Sequence, residues 1–206
     1  MQFKSWRFAD ESSGFAYDLL SNLVVPRPIA FVSTVSQTGI PNLAPFSFFT
    51  IGGTEPPSVV FCPVRGKNGY KKASLVNIEA TREFVVNLVD RRMAERMNLT
   101  GINYPEGYEK WGISGFSPLE SVAIEPARVA ESPVQLECKM FQIVEHGSSS
   151  YVIGEVLMAH VSEELVGDSK FACFEPIARL GGTQYIDLDG GKVFEMIRPV
   201  LGSESS

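Results

Sequence analysis

Residues 65–72, Arg-Gly-Lys-Asn-Gly-Tyr-Lys-Lys, place four cations and two glycines in one short run, between a short apolar strand and a helix start near Lys71-Lys72-Ala73-Ser74. The chemistry this suits is anion binding. The first N–H groups of a helix have no partners within it and carry the positive end of its dipole. Arginine adds a planar donor fork and lysine a point charge. A charge run is also what a solvated surface loop looks like; the position between strand and helix favours a ligand. Upstream, Ile29–Ser36 alternates, with Ile29, Phe31, Ser33 and Val35 on one face and Ala30, Val32, Thr34 and Ser36 on the other. Both faces turn from apolar to hydroxyl toward the C-terminal end. That pattern suits the rim of a ligand site, and equally an ordinary Ser/Thr-rich strand leaving a core.

The elements around these residues read mainly as β. A turn at Gln37-Thr38-Gly39 leads into an extended segment, Asn42–Thr50, that mixes small and hydroxyl residues with Phe46, Phe48 and Phe49; Pro45 makes it an edge or bulged strand. Glu55-Pro56-Pro57 is a rigid turn before the strand Ser58–Cys62. Lys72–Glu79 is predicted to be helical with Leu75 and Ile78 inward, and Glu83–Val89 a strand with Phe84, Val86 and Leu88 on one face. Phe15–Val24 and Arg91–Leu99 carry helical patterns. Residues 101–121 show no period and read as a lid or binding loop. Val134–Glu145 alternates through Met140 and then shifts phase to Phe141, the mark of a bulge in a bent barrel strand. A hairpin connection at residues 146–150 returns into Tyr151–Val161, and Val193–Ile197 closes the chain. With no internal repeat and no linker, residues 1–206 are expected to form one domain, with 1–14 an N-terminal arm and 198–206 a tail.

The 206 residues, 44% hydrophobic and 20% charged, are ordinary for a globular chain. A net charge of −6 argues against a nucleic-acid partner, which requires a basic excess. No N-terminal apolar run suggests a signal peptide, and no window reaches the ~18 apolar residues a membrane helix needs, so a cytoplasmic protein with no membrane partner is expected. Cys62, Cys138 and Cys173 have no Cys-x-x-Cys spacing and read as reduced, mostly buried thiols; with His146 and His160 they make no metal site. Gly-x-Gly-x-x-Gly, the phosphate-loop motif and Gly-x-Ser-x-Gly are all absent. A ligand segment without an acid–base constellation suits a protein whose cofactor carries the chemistry.

The runs Pro-Arg-Pro-Ile-Ala-Phe-Val-Ser-Thr from Pro26, Asn-Leu-Ala-Pro-Phe-Ser-Phe-Phe from Asn42, Lys-Lys-Ala-Ser-Leu-Val-Asn-Ile from Lys71 and Glu-Phe-Val-Val-Asn-Leu from Glu83 resemble the flavin reductase-like, FMN-binding split-barrel family. Glu131–Cys138 and Ile153–Val156 fit its flavoredoxin-like branch, and the resemblance spans roughly residues 20–186. It implies a mainly β fold, a Greek-key split barrel with a few peripheral helices, with FMN at a homodimer interface. It places Ser33 and Thr34 facing the flavin, Asn42, Leu43 and Ala44 on the ring or ribityl chain largely through backbone groups, and Ser47 near the ribityl–phosphate end. Arg65, Lys72 and Ser74 would hold the phosphate. Where the family often has Lys-Asp-Thr, this chain has Lys72-Ala73-Ser74: serine keeps the hydroxyl and alanine removes a carboxylate. The physical reading agrees, since a phosphate monoester carries about −1.5 to −2 charge and the ring needs an apolar slot, which Phe46 and Phe48 offer.

The activity implied is hydride transfer from NADH or NADPH to FMN, and on to oxygen, free flavin or a protein acceptor. A flavoredoxin-type electron carrier is the alternative; an oxidase of pyridoxine-type phosphates fits Asn42–Phe49 less well. His160 reads as a core or rim histidine, with contact to nicotinamide or substrate the other option, and His146 has no assigned role. Trp111 and Tyr108 read as packing at the dimer interface rather than as a flavin cap, and Cys62 as a structural thiol at the site edge.

Overall fold

The computed structural model of the chain describes residues 1–66, 69–102, 104, 108–166, 174–188 and 190–197. The expected tail at 198–206 and Cys173 lie outside the described residues. An exposed arm with one 3-10 turn (Phe8–Asp10) leads to α1 (Ser13–Leu23), capped by Ser12 Oγ, which accepts from the Phe15 N–H at 3.1 Å. Strands β1 (Arg27–Pro28), β2 (Ala30–Val35), β3 (Pro41–Phe46), β4 (Phe49–Thr54) and β5 (Pro57–Phe61) follow, then α2 (Ala73–Thr81) and β6 (Glu83–Asn87). A 3-10 turn (Arg91–Met93) precedes α3 (Ala94–Thr100), α4 (Lys110–Ser114), β7 (Pro118–Leu119) and β8 (Arg128–Val129). The long hairpin of β9 (Val134–His146) and β10 (Ser149–Val161) comes next, and β11 (Ile177–Arg179), β12 (Gln184–Asp187) and β13 (Lys192–Glu195) close the fold.

Seven strands form one antiparallel sheet in the order β3-β2-β6-β9-β10-β5-β4. Its two edge strands, β3 and β4, are joined by Ser47 and Phe48 alone, so the sheet must curl until its edges meet there. No ladder closes them, and the result is a split barrel. The interior holds Ala30, Val32, Val59, Phe61, Phe84, Val86, Cys138 and Val152, with Leu75 and Ile78 entering from α2, which packs on β2 and β3. On the other side of β2, Ile29 and Phe31 join Leu43, Met93, Met97, Trp111, Phe116 and Ile177 in a second core under α3 and α4. Strand β2 is therefore buried on both faces. Each large side chain so buried contributes about 1.5–3 kcal/mol.

Pro45 lies on an edge strand, where its missing N–H breaks no inner ladder. The phase shift at Phe141 is a bulge: Ile153 faces Gln142, but Gly154 faces Met140. Gly154 is required there, because a Cβ would lie 2.3 Å from Cζ of the buried Phe84 ring.

Two expectations change. The extended segment Asn42–Thr50 is two strands, broken at the barrel corner Ser47-Phe48. Residues 101–121 are not without structure: they contain α4 and β7, and Trp111 and Phe116 are core residues of this chain. The Glu109 carboxylate caps α4 by accepting from the N–H groups of Trp111 and Gly112 at 3.1 and 2.6 Å, and Gly115 ends it at φ +64°. A five-residue helix is too short to show a period.

Candidate functional site

A cleft of about 1140 Å³ opens between the start of α2, strand β3, the Ser47-Phe48 corner and Thr100, Gly101, Ile102, Tyr104, Tyr108 and Lys110. One end is cationic, lined by Arg65, Lys71, Lys72, Ala73 and Ser74. There the N–H groups of Leu75 and Val76 both reach the Lys72 carbonyl, at 2.9 and 3.1 Å. Among the described residues the N–H groups of Ala73 and Ser74 have no partner, as donors of the helix N-terminus. The floor, formed by Asn42, Ser74 and Asn77, is tied together through Thr34 beneath it, and all four polar side chains are buried. Asn42 Nδ2 donates to Ser74 Oγ at 2.8 Å and to Thr34 Oγ1 at 3.4 Å, and Asn77 Nδ2 donates to the same Thr34 oxygen at 3.0 Å. Apolar walls rise from Phe46, Phe48 and Tyr17 on one side and from Ile102, Tyr104 and Tyr108 on the other. Tyr104 and Tyr108 stack at 4.2 Å with their planes 7° apart.

Two of the cleft's cations are paired from outside it. Arg65 Nη2 lies 2.9 Å from Glu145 Oε2, which also accepts from Ser150 Oγ at 2.8 Å. Lys71 Nζ lies 2.5 Å from Glu79 Oε1. The Ser150 hydroxyl first, and Arg65 second, hold the Glu145 carboxyl below the usual carboxylate range. The hairpin tip also fixes the loop's first residues, with the Arg65 N–H donating to the Ser148 carbonyl at 2.8 Å and Val64 bridging Ser149. Cys62 is a buried thiol at the cleft edge whose pKa burial pushes up; burial drives Cys138 in the barrel to about 12. Neither is poised as a thiolate.

Of the residues that the sequence singles out, Asn42, Ala44, Ser47, Arg65, Lys72 and Ser74 line the cleft, and Ser33, Thr34 and Leu43 do not. Ser33 points the other way and donates to the Ala127 carbonyl at 2.5 Å. Thr34 lies beneath the floor as the acceptor of two amides. The Leu43 side chain is in the second core. Asn77, Tyr17 and Tyr104 also belong to the cleft; Asn77 is part of the run from Lys71 that carries the family resemblance, one helical turn after Ser74, whereas Tyr17 and Tyr104 carry no sequence signal of it.

His160 lies elsewhere, beside a separate cavity of about 680 Å³ that is also lined by Arg92, Arg128, Ser132 and Gln135. Its Nε2 is 2.7 Å from Oε1 of the fully buried Glu137, which also accepts from the N–H groups of Val122 and Ala123 at 2.9 and 2.7 Å. Burial pushes the Glu137 carboxyl up, but those N–H bonds and His160 outweigh it and hold the pKa low. Among the described residues no group of three metal-ligating side chains is found, and no helix is long and apolar enough to cross a membrane.

A family model described as flavin reductase like domain matches residues 21–173. An uncharacterised protein of Aquifex aeolicus is 34% identical over 177 residues, covering 84% of this chain and 90% of that protein. Nitrilotriacetate monooxygenase component B of Bacillus cereus superposes with a TM-score of 0.88 at 29% identity, covering 95% of this chain and 100% of that one. The 2-nitrobenzoate 2-nitroreductase of Pseudomonas fluorescens does so with a TM-score of 0.81 at 30% identity, covering 98% and 99%. The chain belongs to the flavin reductase-like family, and its fold is the split barrel of that family.

Proposed function

We propose that the cleft holds FMN and that the protein is an NAD(P)H-dependent flavin oxidoreductase. The observation that carries this is the polarity gradient along one cleft: cations and free helix N–H groups at one end, buried amides and hydroxyls along the floor, aromatic walls above. A phosphate monoester, a polyol chain and a planar ring match those three parts in that order. The residues present fit the group. Arg65, Lys72, Ser74 and the N–H groups of Ala73 and Ser74 would hold the phosphate, Asn42 and Ser47 the ribityl chain, and Ala44, Phe46 and Phe48 the ring. When bound, FMN would supply the redox chemistry, that of a two-electron carrier between a reduced nicotinamide and an acceptor.

The protein's own part is to bind, orient and exclude water. The Asn42–Ser74 and Asn77–Thr34 bonds tie α2 to β2 and β3, so the phosphate donors and the strand that carries Asn42 and Ala44 move as one body. The aromatic walls keep the ring slot apolar. A homodimer is part of this reading. Leu20 and Leu23 on α1 and Phe141 on β9 are 49%, 67% and 68% exposed, apolar side chains of the kind that a two-fold interface would cover. We place this single-domain protein in the cytoplasm.

The absorbance spectrum of the purified protein tests the cofactor, and flavin bands are expected. Steady-state oxidation of NADH and NADPH with added FMN tests the enzyme. Flavin bands without nicotinamide turnover would leave an electron carrier. Calorimetry with FAD binding ten times tighter than FMN would overturn the phosphate assignment. Light scattering over a dilution series, followed in parallel by FMN fluorescence, tests the dimer; a stable monomer with full FMN affinity would overturn it.

A further inference from the structure

Two carboxylates face the cationic end of the cleft without entering it. Glu145 meets Arg65 from the β9–β10 hairpin tip, and Glu79 meets Lys71 from the last turns of α2. Neither lines the cleft, whereas both of their cation partners do. Each carboxylate takes part of the positive charge that the cleft would otherwise present to an anion. We infer that Glu145 and Glu79 set the flavin affinity of this site by competing with the phosphate for Arg65 and Lys71, so that FMN is held loosely enough to exchange. This rests on the FMN reading above and adds which residues decide how tightly the phosphate is held.

The opposite effect, in which the carboxylates help by orienting the cations, is the weaker one here. The start of the Arg65 segment is already fixed by the bond from its N–H to the Ser148 carbonyl and by the Val64–Ser149 bridge, and Arg65 Nε is buried. Removing the Glu145 charge does not release that backbone. Lysine is a point charge on a flexible stem and needs no orienting partner to meet a phosphate. The Ser150 hydroxyl holds Glu145 in place independently of Arg65, so the carboxylate stays near the guanidinium when a second anion arrives. Both pairs are about one-third exposed, so each effect is expected to have the modest size of a partly exposed ion pair.

The test is titration of the full-length protein with FMN and with riboflavin, for the wild type, Glu145→Gln, Glu79→Gln and the double variant, at low and high salt. Each single change should tighten FMN about three- to fivefold at low salt, less at high salt. Riboflavin, which lacks the phosphate, should stay within about twofold. The two pairs share no residue, so the double variant should combine both factors. Weaker or unchanged FMN binding in both single variants, with the wild type still preferring FMN to riboflavin, overturns the inference and leaves the phosphate reading standing. Equal wild-type affinity for FMN and riboflavin overturns both.

Discussion

The cleft beside α2 and the cavity beside His160 are both lined by arginine, serine and amide side chains. They differ in what those groups already touch. In the smaller cavity Arg92 reaches Asp90 at 2.6 Å, Arg128 donates to Gln135 and to the Glu120 carbonyl, and Ser132 donates to the Leu88 carbonyl. His160 is bonded to Glu137, and the Gln135 amide to the carbonyls of Val129 and Ser132. These side chains are held by one another or by nearby carbonyls. In the larger cleft the N–H groups of Ala73 and Ser74 and the Ser47 hydroxyl have no protein partner among the described residues. A charged, roomy cavity can therefore be a structural joint; donors left open are what mark a binding site.

The largest test of this contrast is Glu137→Ala. It removes the acceptor of two backbone N–H groups and the partner of His160, and should cost about 3–5 kcal/mol of stability in urea denaturation. The FMN affinity of the folded protein should stay within about twofold. The pH dependence has a definite sign. The Glu137 carboxyl has a lowered pKa in the fold, so its contribution is complete above the ordinary carboxylate pKa of about 4.3 and is lost as the pH falls through the folded value. The wild type should therefore lose stability below about pH 4 more steeply than Glu137→Ala.

Next in size are Lys72→Ala and Arg65→Ala at the open end of the cleft. Each should weaken FMN about 10- to 100-fold by calorimetry, the loss of ~1.5–3 kcal/mol that a charge-assisted bond carries. Riboflavin should barely respond. Equal losses for both ligands would move the phosphate away from residues 65–72.

Asn77→Ala should have a smaller and differently shaped effect. Its bond to Thr34 lies under the floor, so about 1 kcal/mol of stability is expected to go. FMN and riboflavin should weaken alike, about fivefold, in the same titrations. A loss confined to FMN would place Asn77 with the phosphate donors. Arg92→Ala in the smaller cavity should be nearly silent: its side chain is 78% exposed, so under ~0.5 kcal/mol and no change in flavin binding are expected.

The local features of this chain were legible from its residues. Alternation marks β2 and β6, the cationic loop marks the start of α2, and the phase shift after Met140 locates the bulge to the residue. Pro45 marked an edge strand. These are short-range signals, because side-chain direction has a period of two in a strand and 3.6 in a helix. The family was legible as well, from runs of adjacent residues.

What period cannot supply is which face of a strand meets which neighbour. Alternation put Ser33 and Thr34 on opposite faces of β2, but both were assigned to the ligand. The fold turned Ser33 to Ala127, 94 residues away, and set Thr34 beneath the floor under Asn77, 43 residues on. Glu145 stands behind Arg65 only because the β9–β10 hairpin folds its tip over the start of the loop. The short α4 was hidden inside a run rich in glycine and proline, since its stability comes from burying Trp111 in the second core rather than from helix propensity. The sequence alone determined the kinds of group this protein offers a ligand and their local order; the curl of the seven-stranded sheet decided which of them face it together, because hydrogen bonds and packing between strands far apart in the chain set those directions.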